Sequence, residues 1–427
     1  MGACYENIEF GICARNCRYD ICGGTAFAAD KELVIFNWLG GSERDLIIAL
    51  EEGFTAKYPD YEIKDINPAA GGDDPRSGIR SAMLSGEQFD LLLNTWPSFE
   101  KELVDADLIR PIDAAWEQYG WSSALNDSWR NLATYHGKTY GAYFIAGNRS
   151  GVWYRPDTLA KAGIAGEPTQ WKDFLSSFSA LKEIGMLPVS IGARSWAQTE
   201  WFENALLRTA GPAFAKELSE HKVAWTDDRV KETFRNLRDM LEADCCAEPG
   251  AMLSSHWTDA ADAVLKNKKA GFMLIGSWAN QRAKNEYSLT PVKDYSFMQF
   301  PVIKPEYGNA MSVDGKNFLV MKQAKNPEGA ELFIDFVLSK EGAAIIAEQN
   351  LATPSAHVDP SSYDPIVRKY AQILPLVDVF FVLDDLLPAE LSGEFRVGLQ
   401  KFLRDPSDAN IDAVTAALEA KASELYQ

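Results

Sequence analysis

The sequence predicts an α/β fold arranged as two lobes. Three observations carry this: a chain of 427 residues, strand patterns that alternate with helix patterns along most of it, and a change of pattern at 140–154. A single hydrophobic core stops growing at about 250–300 residues, so a chain of this length divides into two units of ordinary domain size. Strands that alternate with helices supply the crossovers that parallel pairing needs.

The apolar run Leu33-Val34-Ile35-Phe36 reads as a buried strand, and Asn37-Trp38-Leu39-Gly40-Gly41 as the turn after it. Ser42 stands where an N-cap is needed, ahead of Leu46, Ile47, Leu50 and Phe54 at helical spacing. A strand at 61–66, a helix at 76–84 and a strand at 89–93 continue the first lobe. At 140–154, Gly141, Gly147 and Gly151 stand among aromatic and β-branched residues, and the chain is expected to cross between lobes here. The second alternation comprises a helix at 169–185, the strand Val189-Ser190-Ile191, helices at 197–209, 228–243 and 258–266, and a strand at 270–275. Strand character returns at 295–321, and one long amphipathic helix is expected at 327–349, with Ala330, Phe333, Ile334, Phe336 and Val337 on its apolar side. The tail from Asp364 reads as mostly helical. No repeat and no low-complexity linker interrupts the chain, so short crossings are expected to serve as the hinge.

Composition excludes several classes of function. The formal net charge is -19 and the basic residues are scattered among acids, which argues against nucleic acid and against anionic membranes. The acidity is expected to keep the protein soluble and monomeric. No stretch approaches the roughly 18 apolar residues of a membrane span. The four histidines, His136, His221, His256 and His357, are dispersed, and no G-x-S-x-G, H-E-x-x-H or P-loop motif occurs. Adjacent carboxylates such as Asp73-Asp74 and Asp384-Asp385 are expected by chance among 61 acids, so a glycoside hydrolase is the weaker reading.

Cys4, Cys13, Cys17 and Cys22 crowd the first thirty residues, in a spacing that matches no paired zinc motif. No metal site is expected. Cys245 and Cys246 are compatible with a disulfide or with free thiols. Residues 1–29 read as a leader or its remnant: Ala26-Phe27-Ala28 is an A-x-A site of the kind signal peptidase cuts, although 1–22 lack a basic start and an apolar run. Export is the expectation.

Several stretches, taken in order, carry a family resemblance: Trp38-Leu39-Gly40-Gly41, then Met83-Leu84-Ser85-Gly86 with Phe89-Asp90, Asp107-Leu108-Ile109-Arg110-Pro111-Ile112-Asp113, and His136-Gly137-Lys138-Thr139-Tyr140-Gly141. Trp153-Tyr154-Arg155-Pro156-Asp157 follows with Lys161-Ala162-Gly163-Ile164 and Pro168-Thr169-Gln170-Trp171, and then come Lys268-Lys269-Ala270-Gly271-Phe272-Met273, Gly276-Ser277-Trp278 and Lys340-Glu341-Gly342. Their succession resembles the family 1 extracellular solute-binding proteins, the type II periplasmic binding proteins that include maltose- and glucose-binding members. The resemblance implies two discontinuous α/β lobes, a ligand held between them by closure, delivery to the permease of an ABC importer, and neither catalysis nor cofactor. On that pattern one lobe holds 30–143 with 296–345, and the other 148–292 with 350–427.

A sugar offers apolar C–H faces to aromatic rings and hydroxyls to carboxylates, amides, Arg and Lys. Tryptophans in loops after strands are therefore preferred as candidates, because α/β ligand sites lie beyond the carboxyl ends of strands. Trp38 follows the first strand, and its competing role is packing between the lobes. Glu43 is either a hydroxyl acceptor or a solvated acid at a helix start. The resemblance places Asn94 and Trp96 at a ligand-contact position after their strand. Asn148 and Arg149 stand at the lobe crossing, where the guanidinium has two uses: forked hydrogen bonds to a ligand or an interlobe ion pair. The resemblance brings Trp196, Trp257 and Trp278 into the cleft, with Trp278 the strongest candidate. Asp314 and Lys316 are expected in a loop that reaches the cleft, Lys316 reading more readily as a solvated charge. Trp116, Trp129, Trp153 and Trp171 fall in strand or helix patterns and are assigned to the core. The expected ligand is a mono- to disaccharide; a polyol, a sugar acid, a polyamine or a peptide is the alternative.

Overall fold

The computed structural model describes residues 31–67 and 75–426. The leader, its A-x-A site, the four early cysteines and the Asp73-Asp74 pair lie outside the described residues.

Two sheets organise the molecule. The first runs in the order Tyr61–Ile66, Lys31–Phe36, Leu91–Asn94, Ala310–Val320, Asp378–Phe381, with Gly141–Asn148 also paired to Ala310–Val320. Its first three strands are parallel, whereas Ala310–Val320 runs antiparallel to both Leu91–Asn94 and Gly141–Asn148. Both faces are covered, which explains the unbroken apolar run of the first strand. Leu33 and Ile35 pack with Leu46, Leu50, Phe54 and Phe333 on one side. Val34 and Phe36 pack with Phe89, Phe99 and Leu103 on the other.

The second sheet has the order Ser296–Gln299, Gly151–Tyr154, Ala270–Leu274, Leu187–Val189. Val152, Tyr154, Phe272 and Leu274 face a core built with Phe174, Phe178, Trp201 and Phe202. Trp153 and Met273 face the other side, against Val264, Tyr295 and Tyr370. Gly141–Asn148 ends in one sheet and Gly151–Tyr154 begins in the other, so the chain passes between lobes at Arg149-Ser150.

Several expected boundaries move. Ser296–Gln299 pairs antiparallel with Gly151–Tyr154 and so lies in the second sheet; the return to the first sheet begins at Ala310. The tail is shared between lobes. Asp378–Phe381 pairs parallel with Ala310–Val313 in the first sheet, whereas Ala389–Arg404 and Asp408–Leu425 bury Phe395, Phe402 and Leu418 in the second-lobe core. Ser42 is not an N-cap: a 3-10 turn, Gly41–Glu43, leads into the helix Arg44–Lys57. The helix expected at 197–209 spans Thr199–Ser219 and breaks at Gly211 (φ 83°), where only glycine tolerates the left-handed backbone ahead of Pro212. The single helix expected at 327–349 is two, Pro327–Leu338 and Lys340–Glu348, separated at Ser339. Cys245 and Cys246 are joined as a disulfide, with Cys245 buried.

Candidate functional site

A cleft of about 250 Å³ lies between the sheets, walled by tryptophans from both lobes. Trp38 and Trp96 come from the first lobe. Each follows the carboxyl end of a strand in the parallel part of that sheet, where crevices form in α/β proteins. Their rings lie 4.8 Å apart, and the Trp38 indole N–H donates to the Leu93 carbonyl at 3.0 Å, which fixes its plane.

Trp196, Trp257 and Trp278 form the second wall, Trp278 lying 5.9 Å from Trp196 and 6.2 Å from Trp257 between ring centroids. Trp278 follows the strand Ala270–Leu274 through the turn Ile275-Gly276-Ser277, and its ring folds back across Gly276. A Cβ at Gly276 would overlap that ring, so the glycine is a condition of the wall. The Arg149 guanidinium lies over the rings of both Trp278 (4.8 Å) and Trp196 (5.3 Å), a cation–π arrangement that holds them from behind.

The floor is polar and built on ion pairs. Arg149 bonds Glu200 at 2.7 Å and Asp314 at 3.2 Å, joining the lobe crossing to one helix of the second lobe and to the long strand of the first. Burial opposes the guanidinium charge, but Glu200 and Asp314 more than offset it and raise its pKa. Burial pushes Glu200 up, against the pull of Arg149. Lys316 reaches Glu43 at 3.5 Å.

The tail supplies a further side. The Glu203 carboxylate accepts the N–H groups of Leu383 and Asp384 at the start of the short helix Leu383–Leu386. Asp384 is gripped by Arg396 (3.0 and 2.5 Å) and by the Ser392 hydroxyl (2.7 Å). Asp385, beside it, lines the cleft. Burial raises its carboxyl to about 7, with Asp384 and Asp314 adding to the rise and Arg149 opposing it.

Of the residues singled out from sequence, Trp38, Glu43, Trp96, Arg149, Trp196, Trp257, Trp278, Asp314 and Lys316 line this one cleft. Asn94 and Asn148 do not. Asn94 is fully buried, its amide donating to Asn317 (3.1 Å) and Glu100 (3.4 Å) while its carbonyl accepts the Trp96 N–H. It supports the strand end behind Trp96. Asn148 shapes the crossing, accepting the Ser150 N–H at 2.8 Å. Asp314 and Lys316 stand on the strand Ala310–Val320 rather than in a loop, and Lys316 is buried rather than solvated. Thr95, Ser195, His256 and Arg396 also line the cleft and were not singled out; Asp384 and Asp385, read from sequence mainly as a chance acid pair and only secondarily as approaching the cleft, line it too. Trp116, Trp153 and Trp171 are buried and Trp129 half-buried, all four away from the cleft.

Two α/β lobes around a cleft with opposed tryptophan walls and a paired polar floor define the class: a two-lobed solute-binding protein. Comparison with known proteins makes the class specific. Residues 40–344 match the model of the bacterial extracellular solute-binding proteins, and the chain belongs to that family. It is the solute-binding component of an ABC importer and not an enzyme.

The osmoprotective compounds-binding protein GgtB of Synechocystis is 23% identical over 75% of this chain and 77% of its own. The alpha-glucosides-binding periplasmic protein AglE of Rhizobium meliloti is 23% identical over 77% of this chain and 75% of its own. Among solved structures, the bacterial solute receptor AcbH, reported to have an exclusive preference for β-D-galactopyranose, superposes with a TM-score of 0.84 at 21% identity, covering 93% of this chain and 100% of its own. No described helix is long and apolar enough to cross a membrane.

Proposed function

We propose that this protein is exported, acts as a monomer, and closes its lobes on a neutral mono- to disaccharide that it hands to the importer's permease. The observation that carries the reading is the pairing of two tryptophan walls with hydrogen-bonding side chains between them. A pyranose has two apolar faces and a rim of hydroxyls, and each part meets its complement here. The volume of about 250 Å³ favours a small ligand, since small-molecule sites run to about 300–1,000 Å³. Names of relatives and neighbours agree with it: alpha-glucosides, chitin oligosaccharide and β-D-galactopyranose.

In this reading Trp38, Trp96, Trp196, Trp257 and Trp278 cover the sugar faces. Glu43, Asp314 and Lys316 meet hydroxyls, and Arg149 braces the second wall. A thermal-shift screen of neutral sugars, polyols, sugar acids and polyamines tests it. A ligand at 100 times its Kd stabilises by about 2.7 kcal/mol, so the expected result is a clear rise in Tm with a neutral sugar. Stabilisation by polyamines alone overturns the carbohydrate reading.

A further inference from the structure

Among the described residues, seven charged ones line the cleft: Glu43, Asp314, Asp384 and Asp385 against Arg149, Lys316 and Arg396. Three of the carboxylates have a cation of their own, in Glu43–Lys316, Asp314–Arg149 and Asp384–Arg396. Asp385 does not: among the described residues no donor is bonded to its carboxylate, although the residue is only 6% exposed.

The surroundings fix where this group points. Its helix is capped by Glu203, its neighbour Asp384 is clamped by Arg396 and Ser392, and its own backbone carbonyl accepts the Ser98 hydroxyl at 2.9 Å. Four contacts therefore hold the backbone of a carboxylate that remains unbonded at the cleft wall. A carboxylate held in place at the cleft wall without a protein donor is open to the donors of a ligand.

We propose that Asp385 is the specificity-determining acceptor of the cleft, taking two neighbouring hydroxyls of a neutral sugar and repelling sugar acids. The proposal rests on the carbohydrate reading and adds to it the residue and the ligand feature that are read. An ionised carboxylate is acceptor-only, so its complement is a donor pair such as a vicinal diol. With four acids, Asp385 among them, and three bases in the described lining, the cleft favours neutral over anionic ligands.

The group also makes binding respond to pH. Asp384 on its own helix, Glu200 and Glu203 on the helix Thr199–Ser219, and Asp314 on the long strand work against its ionisation, whereas Arg149 and Arg76 favour it. Arg396 on the helix Ala389–Arg404 is committed to Asp384. Its carboxyl sits at about 7 without ligand, so binding that requires the ionised form weakens as pH falls below that value.

The test is a calorimetric titration of D-galactose, D-glucose, maltose and D-galacturonic acid into wild-type protein and Asp385→Asn, at about pH 8 and about pH 5.5. The expected result is that wild type binds a neutral sugar and not D-galacturonic acid. Asp385→Asn is expected to lose at least about tenfold in affinity for that sugar at the higher pH. Wild-type affinity falls at the lower pH, and the variant loses that dependence. The variant's unliganded Tm at the higher pH should equal or exceed that of wild type, because a buried charge has been removed, and Asp385→Ser repeats the binding measurement if it does not. A neutral sugar bound equally by wild type and both variants overturns the role of Asp385 alone. Absence of binding by every neutral sugar overturns the carbohydrate reading and, with it, this assignment.

Discussion

At Gly276 the absence of a side chain lets the Trp278 ring lie across its own turn. Gly276→Ala is therefore expected to push the ring out of its wall and weaken sugar binding by at least about tenfold, the change that follows from about 1.4 kcal/mol of lost contact. Calorimetric titration checks it, and unchanged affinity would show that the ring's placement is dispensable. The sequence marked Trp278 by its place in the turn after a strand together with the family resemblance, and Trp38, Trp96 and Trp196 as following strands; Glu43, Arg149, Asp314 and Lys316 were marked on other grounds, as a helix start, the lobe crossing and an expected loop. It misplaced Asn94, since a strand's last residue can turn inward to Asn317 and Glu100 as readily as outward. That choice depends on a partner 223 residues away, which no local pattern encodes. Asp385 was obscured for a similar reason: its value comes from Glu203 and Arg396 holding its neighbours, and both contacts are long-range or specific to the fold.

Among the elements, the strand Ala310–Val320 and the helix pair around Ser339 show how local composition misleads. Ser312-Val313-Asp314-Gly315-Lys316-Asn317 is polar and contains glycine, which reads as a loop. In the sheet its polar groups find partners in Arg149, Glu43 and Glu100, so the stretch is a buried strand that carries part of the floor. At 327–349 the apolar spacing runs on through Ser339, yet Ser339 takes an extended backbone (φ -67°, ψ 171°) and its side chain accepts the Gly342 N–H. It ends one helix and caps the next. Ser339→Ala should lower stability by about 1 kcal/mol, as N-cap removal does, without altering ligand affinity. Denaturant unfolding measures the first quantity and titration the second; a stability unchanged by the substitution would contradict the capping role.

Over the whole molecule, buried carboxyls set the response to pH. Burial raises Glu51, Glu100 and Glu203 to about 8 and Asp385 to about 7. Unfolded, the same groups titrate near their ordinary values of 4.5 for Glu and 3.8 for Asp. Between those limits the native state binds more protons than the unfolded chain, so stability falls as pH rises through that window. Asp60, Asp105 and Asp157 are held low by their ion pairs and act in the opposite sense, their contribution being lost in acid. They are largely exposed, so their effect is small. The unliganded protein is expected to melt at a higher temperature at about pH 5.5 than at about pH 8.5. The reverse order in a thermal melt would show that these carboxyls ionise freely in the native state. Two lobes, their alternating elements and the crossing near Arg149 could be read from the sequence, because apolar period and length are local properties. How the tail divides itself between the lobes could not, because its strand pairs with residues some seventy positions away.

The central claim is that a sugar is held between tryptophans of opposite lobes. Its most direct test is a calorimetric titration of the sugar that stabilises wild type most, repeated on Trp38→Ala from one wall and Trp278→Ala from the other. The expected result is one saturable site in wild type and a large loss of affinity in both variants, each still folded. Affinity preserved in both variants would contradict it.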